Sequence, residues 1–142
     1  MSIQSIDHVA LPTESPTRLI DFYQRLGFSV VRLREHPDGG QEPRSASLAL
    51  GDIRINLHGP YVWKEGNPSL RAEAALPGCL DLCFVWSGSP EEAVATVEAA
   101  GGEVVAGPVD RIGGRAGGSR SGRSVYTRDP DGNLLEFIAY EL

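Results

Sequence analysis

The chain lacks any apolar stretch close to the roughly 20 residues that a membrane span needs. Its opening, Met1-Ser2-Ile3-Gln4-Ser5-Ile6-Asp7-His8, has neither the basic start nor the apolar run of a secretory signal. Both absences lead to an expected cytoplasmic location with no membrane partner. Cysteine is scarce: Cys79 and Cys83 are the 2 in 142 residues. They fall on one face of a strand-like run, too far apart along it for a bridge and without zinc-knuckle spacing, so reduced thiols are expected. There is no surplus of positive charge either. A net charge of -6 disfavours non-specific nucleic-acid binding. Nothing marks disorder or a fibrous class, since 41% hydrophobic residues is ordinary for a soluble globular protein. The length suits one domain, residues 1–142, with a sizeable core.

What is present occurs twice. Ile6-Asp7-His8-Val9-Ala10-Leu11 opens a first pass that continues through a Ser-Pro-initiated helix to Asp52-Ile53-Arg54-Ile55-Asn56-Leu57-His58. Cys79-Leu80-Asp81-Leu82-Cys83-Phe84-Val85 opens a second, which ends in Gly132-Asn133-Leu134-Leu135-Glu136-Phe137-Ile138. One copy is too small to hide its own sheet face. Paired copies would bury one face of each sheet against helices and turn the others toward a shared cup. The fold expected is therefore α+β: two tandem β-α-β-β-β units, of about residues 3–60 and 78–142, forming a cup-shaped mixed sheet with helices on its outer face.

Alternation assigns the faces, because successive side chains of a strand point to opposite sides. In the first strand Val9 and Leu11 form the packing face while His8 and Ala10 oppose it. Ile53, Ile55 and Leu57 pack, leaving Arg54, Asn56 and His58 on the other side. In the second unit Asp81 shares its face with Cys83 and Val85, and Glu136 shares its face with Leu134 and Ile138. Further strands are expected over Ser45 to Leu50 and Ser124 to Arg128, the latter followed by a tight turn, Asp129-Pro130-Asp131-Gly132-Asn133.

Helix boundaries are marked by punctuation. Ser15 before Pro16 reads as an N-cap, with Leu19, Ile20, Phe22, Tyr23 and Leu26 at helical spacing until Gly27. Ser89 and Pro90 repeat the start, with Glu91 and Glu92 where the helix dipole favours anions and Gly101-Gly102 at the end. Gly59 to Gly78 reads as the link between copies. Its Tyr61, Val62 and Trp63 could cover a partner subunit or the cup. Asp110 to Arg123 has no apolar period and reads as a mobile loop, either a solvated connection or a lid whose Arg111, Arg115, Arg120 and Arg123 attract an anion. Without a lysine-serine or lysine-threonine ending and a following helix, it is not a nucleotide-phosphate cradle.

These segments resemble the vicinal oxygen chelate superfamily of glyoxalases, bleomycin-resistance proteins and dioxygenases. The likeness rests on Ile6-Asp7-His8-Val9, Leu19-Ile20-Asp21-Phe22-Tyr23-Gln24-Arg25-Leu26-Gly27-Phe28 and Arg128-Asp129-Pro130-Asp131-Gly132-Asn133-Leu134-Leu135-Glu136-Phe137. More narrowly, the chain looks like small single-domain glyoxalase-like, virulence-associated proteins. The resemblance implies a divalent metal, with His8 at the family's histidine and Glu136 at its carboxylate. Asp81 stands where many members have histidine, and Asn56 where glyoxalase I has a carboxylate. Members are commonly homodimers, which is the assembly expected.

On that resemblance, His8, Asp81 and Glu136 would hold the cation, one imidazole and two carboxylates suiting manganese, nickel, cobalt or iron, with zinc also possible. Glu136 would double as the catalytic proton carrier of a glyoxalase-type lyase or isomerase acting on a small oxygenated, anionic substrate. Asn56, His58, Arg54, Tyr126 and Arg115 are the candidate substrate contacts. Each has a plain alternative. His8 could be an edge histidine, Asp81 a carboxylate receiving backbone donors, His58 a strand-end residue, and Cys83 a small buried hydrophobe. Glu136 among apolar neighbours is costly to bury unpaired, which favours a site. The rival function is a metal-free protein of the bleomycin-resistance type that sequesters a ligand; a thiol transferase or dioxygenase would share the scaffold.

Overall fold

The computed structural model describes residues 1–140. Within it the chain forms β1 (Val9–Pro12), α1 (Pro16–Arg25), β2 (Ser29–Arg34), β3 (Ser45–Leu50) and β4 (Ile53–His58), then a short α2 (Pro60–Trp63). The order repeats as β5 (Asp81–Trp86), α3 (Pro90–Ala99), β6 (Val104–Gly113), β7 (Arg120–Arg128) and β8 (Leu134–Tyr140). The fold is α+β with two four-stranded mixed sheets, ordered β1-β4-β3-β2 and β5-β8-β7-β6. Contacts divide the chain between Cys79 and Leu80. The link after Gly59 falls with the first unit.

In unit 1, β1 runs parallel to β4, and β4-β3-β2 is an antiparallel meander. Ser15 caps α1 by accepting the Arg18 N–H at 3.3 Å, Pro16 supplies a fixed φ at the first turn, and Gly27 leaves the helix at φ 110. Leu19, Phe22 and Tyr23 of α1 are buried together with Leu48, Ile55 and Leu57 of the sheet. Burying each such side chain stabilises by roughly 1.5–3 kcal/mol.

The first strand is shorter than the alternation predicts. Its ladder starts only at Val9, opposite Ile55, and Ile6 is exposed, so His8 stands one residue ahead of the sheet. Trp63 also proves to be core rather than an outward patch. It is buried, and its indole Nε1 donates to the Thr13 carbonyl at 2.9 Å, tying α2 to the end of β1.

Unit 2 repeats the plan. Ser89 and Glu92 form a reciprocal capping box on α3: the Glu92 N–H donates to Ser89 Oγ at 3.2 Å and the Ser89 N–H to Glu92 Oε2 at 2.7 Å. The turn into β8 is built on buried polar groups. Asp129 Oδ1 accepts the Asp131 and Asn133 N–H groups, both at 3.0 Å, and Asn133 Nδ2 donates to Asp129 Oδ2 at 2.8 Å. Asn133 Oδ1 accepts the Leu80 N–H at 3.0 Å, which fastens the turn to the start of β5.

The stretch 110–123 is not a mobile loop. It is the end of a β-hairpin pairing Asp110 with Arg123, Arg111 with Gly122, Ile112 with Ser121 and Gly113 with Arg120. Backbone pairing needs no apolar period. The glycines let the hairpin lie close against β8, since a Cβ on Gly113 would strike Tyr140 and one on Gly122 would come 2.8 Å from the Ala139 carbonyl. The arginines lie on rings, Arg115 and Arg120 both over Tyr140 at 4.9 and 5.6 Å from its centroid.

Candidate functional site

Pairing partners decide which side chains share a face. In unit 1, Ala10 pairs with Asn56 and Asn56 with Ser47, while Ser47 pairs with Arg32 and Ser45 with both His58 and Arg34. Asn56, His58, Ser45, Ser47, Arg32 and Arg34 therefore lie together on the side away from α1. The hydroxyl of Ser47 donates to Asn56 Oδ1 at 2.8 Å, leaving Nδ2 as an available donor. His58 has its pKa lowered, by burial first and then by the charge of His8, so these two imidazoles are near enough to sense one another. The Nδ1 of His8 meets Asp7 Oδ1 at 2.6 Å. Arg54 is on the same face, but its guanidinium turns back to donate to the Gly51 and Ile53 carbonyls at 2.7 and 3.0 Å.

In unit 2, β5 runs parallel to β8 with Cys83 beside Glu136 and Asp81 beside Leu134. Tyr126 lies opposite Glu136 from β7, and Ser124 opposite Ile138. Asp81, Cys83, Glu136, Ser124 and Tyr126 thus occupy the side away from α3. The Ser124 hydroxyl, fully buried, donates to Glu136 Oε1 at 2.6 Å, and Cys83 and Tyr126 flank the same carboxylate from the neighbouring strands. Arg111 Nε donates to Tyr126 Oη at 2.9 Å, so a guanidinium-bound phenol stands beside the carboxylate. Burial and then Glu136 push the Tyr126 pKa up against the pull of Arg111.

Cys83 is exposed, not a buried hydrophobe, because it lies on an edge strand and on the face opposite the helix. Partial desolvation of its sulfur, then the Glu136 charge, push its pKa up to about 12. It is a thiol, not a thiolate, at neutral pH. Cys79 lies outside β5, and both cysteines are free. Glu136, Cys83, Ile138, Tyr140 and Arg115 border an open pocket of about 450 Å³.

The predicted substrate contacts divide accordingly. Arg115 and Tyr126 join Glu136 in unit 2; Asn56 and His58 join each other in unit 1. The sequence pointed to none of Ser124, Ser47, Arg32 and Arg34, and to Arg111 only as a loop cation. Alternation through Ser45-Ala46-Ser47-Leu48 and Val31-Arg32-Leu33-Arg34 held the signal for three of them. The bulge between Val30 and Arg32 and the hairpin register of Arg111 have no such signature.

Donor chemistry tests the metal. Asp81 and Glu136 offer two oxygen ligands on one face, but among the described residues no group of three His, Cys, Asp or Glu is placed to hold an ion. Glu136 is engaged by Ser124 and His8 by Asp7.

Two successive β-α-β-β-β units, each with its last strand beside its first and polar groups opposite its helix, define a paired-module fold of the glyoxalase kind. The chain belongs to the glyoxalase/bleomycin resistance protein/dioxygenase superfamily, whose family model matches residues 5–137. It is 39% identical over 141 residues to the glyoxalase domain-containing protein RDO1 of Mycosarcoma maydis, covering 99% of this chain and 71% of that protein. It is 36% identical over 141 residues to the virulence protein STM3117 of Salmonella typhimurium, covering 99% and 87%. The crystal structure of that Salmonella protein matches with a TM-score of 0.77 at 37% identity, over 99% of this chain and 100% of the other. TnmS3, an antibiotic binding protein from Streptomyces sp. CB03234, shares the fold with a TM-score of 0.69 at 21% identity, over 99% of each chain.

Proposed function

We propose that the chain is a glyoxalase-type lyase or isomerase that moves a proton on a small oxygenated anion, with Glu136 as the proton carrier. One observation supports this most: a carboxylate in mid-sheet, opposite the helix, is held by Ser124, flanked by Cys83 and Tyr126, and borders an open pocket that also presents Arg115. A carboxylate so oriented is placed to take a proton from a carbon acid, and Arg115 to receive the substrate's charge. Arg111 steadies Tyr126 beside Glu136, and Ser124 orients the carboxylate. The divalent cation belongs to the same proposal, with His8, Asp81 and Glu136 as the residues the family assigns to it, and so does a homodimeric assembly.

The second reading is a metal-free protein that sequesters its ligand, as the antibiotic binding of TnmS3 illustrates on this fold. Two measurements separate the readings. Turnover of methylglyoxal with glutathione should fall at least about a hundredfold in Glu136→Gln, with metal retained in wild type and lost in His8→Ala and Glu136→Ala. Saturable ligand binding with no metal and no turnover in any variant would instead establish the sequestering reading.

A further inference from the structure

The face of unit 1 has donors without acceptors. Arg32 and Arg34 project from edge strand β2 toward Ser45, Ser47, Asn56 and His58, and together they border a pocket of about 170 Å³. Among the described residues neither guanidinium has a hydrogen bond or ion pair. The Asn56 amide nitrogen is likewise unused. No carboxylate stands at a ladder position of this face. Two unpaired guanidiniums, an amide donor and an imidazole converging without an acid form a site for an oxyanion.

His58 also borders a second pocket, of about 410 Å³, whose wall is mostly apolar: Pro12, Tyr61, Val62, Leu70 and Ala75 contribute to it. The link builds this wall. Trp63 anchors α2 through its bond to Thr13, and Tyr61 is held edge-on to His36 with ring centroids 4.9 Å apart and beneath Arg44 at 5.7 Å. The volume falls in the range of small-ligand pockets, and a mostly apolar wall with a few polar groups is their usual make-up.

We infer that unit 1 binds an amphipathic organic anion, its carboxylate, sulfonate or phosphonate on Arg32 and Arg34 and its apolar body in the pocket against Tyr61 and Ala75, with His58 between the two. The inference does not rest on the role of Glu136, since every variant that tests it lies in unit 1 and the readout is binding rather than turnover.

The test uses two fluorescent probes with the same aromatic body: 1-anilinonaphthalene-8-sulfonate, which carries an anion, and the uncharged N-phenyl-1-naphthylamine. The full chain should bind both saturably. The double variant Arg32→Gln/Arg34→Gln should weaken the sulfonate about tenfold and the neutral probe less than about twofold, since a hydrogen bond to a charged group contributes about tenfold or more to binding. Ala75→Phe, which fills the apolar pocket, should weaken both by about fivefold or more. Both arginines are exposed, so the double variant should fold normally, and circular dichroism confirms it for each protein. Equal losses for the two probes in the double variant, an unchanged sulfonate affinity there, undiminished affinity in a folded Ala75→Phe, or no saturable binding to wild type would each overturn the inference.

Discussion

The two units share strand order, helix placement and capping by Ser-Pro, yet the faces away from their helices have opposite chemistry. Unit 1 presents Arg32, Arg34, Asn56 and His58; unit 2 presents Asp81, Cys83 and Glu136. Topology is thus repeated where packing demands it, and side-chain chemistry diverges where packing does not. The helix-facing positions stay apolar in both, Leu48, Ile55 and Leu57 in one and Val125, Leu135 and Phe137 in the other. The turns into the final strands differ too. Unit 1 uses Gly51-Asp52, with Gly51 at φ 55, whereas unit 2 uses the buried Asp129–Asn133 network.

That last contrast yields the largest expected effect. Asn133→Ala removes bonds to Asp129 and Leu80 and strands buried partners, so denaturant unfolding should show a loss of about 3 kcal/mol or more. Asp52→Ala at the corresponding exposed turn of unit 1 should stay within about 0.5 kcal/mol. Comparable losses would mean that the two turns are equivalent supports.

The next prediction contrasts the cysteines on either side of the boundary. At pH 8 Cys83, with its pKa at about 12, should be alkylated by iodoacetamide roughly a hundredfold more slowly than an ordinary exposed thiol. Glu136→Gln should speed it, because removing the carboxylate charge lowers the thiol pKa. Peptide mass spectrometry resolves the two sites, Cys79 serving as the reference.

Trp63→Phe should cost about 1–2 kcal/mol, by leaving the buried Thr13 carbonyl without its indole donor. Because the bond lies within unit 1, the loss should be accompanied by weaker probe binding there and unchanged Cys83 alkylation in unit 2.

The smallest effect concerns pH. All 3 histidines belong to unit 1. His58 has a lowered folded pKa, so the unfolded chain takes up its proton first as pH falls from about 6.5. Its contribution to stability is complete above that value and is lost as pH drops through the lowered one. Wild type should therefore lose slightly more thermal stability than His58→Gln between pH 7 and 5.

Much of this arrangement could be read from the chain. Period-two alternation found the faces of Asn56, His58, Asp81 and Glu136, since each strand has one side packed on a helix. Ser-Pro and glycine punctuation located both long helices for the same local reason: caps and φ preferences act over a few residues. What escaped depends on partners distant in sequence. The hairpin at 110–123 pairs through backbone groups that composition does not reveal. The neighbours of Glu136 are set by register between β5, β7 and β8. The unpaired state of Arg32 and Arg34 is a property of what fails to lie opposite them. Alternation gave His8 a face, but the ladder's first rung falls after it.

The central claim is that Glu136 moves a proton, and hydrogen exchange at the reacting carbon tests it most directly. The glutathione–methylglyoxal adduct is incubated in deuterated water with wild type and Glu136→Gln, and deuterium entering the product carbon is followed by NMR. The account predicts incorporation catalysed by wild type and reduced at least about a hundredfold in the variant. Equal incorporation by both proteins, or equal conversion of adduct to product by both, would contradict it.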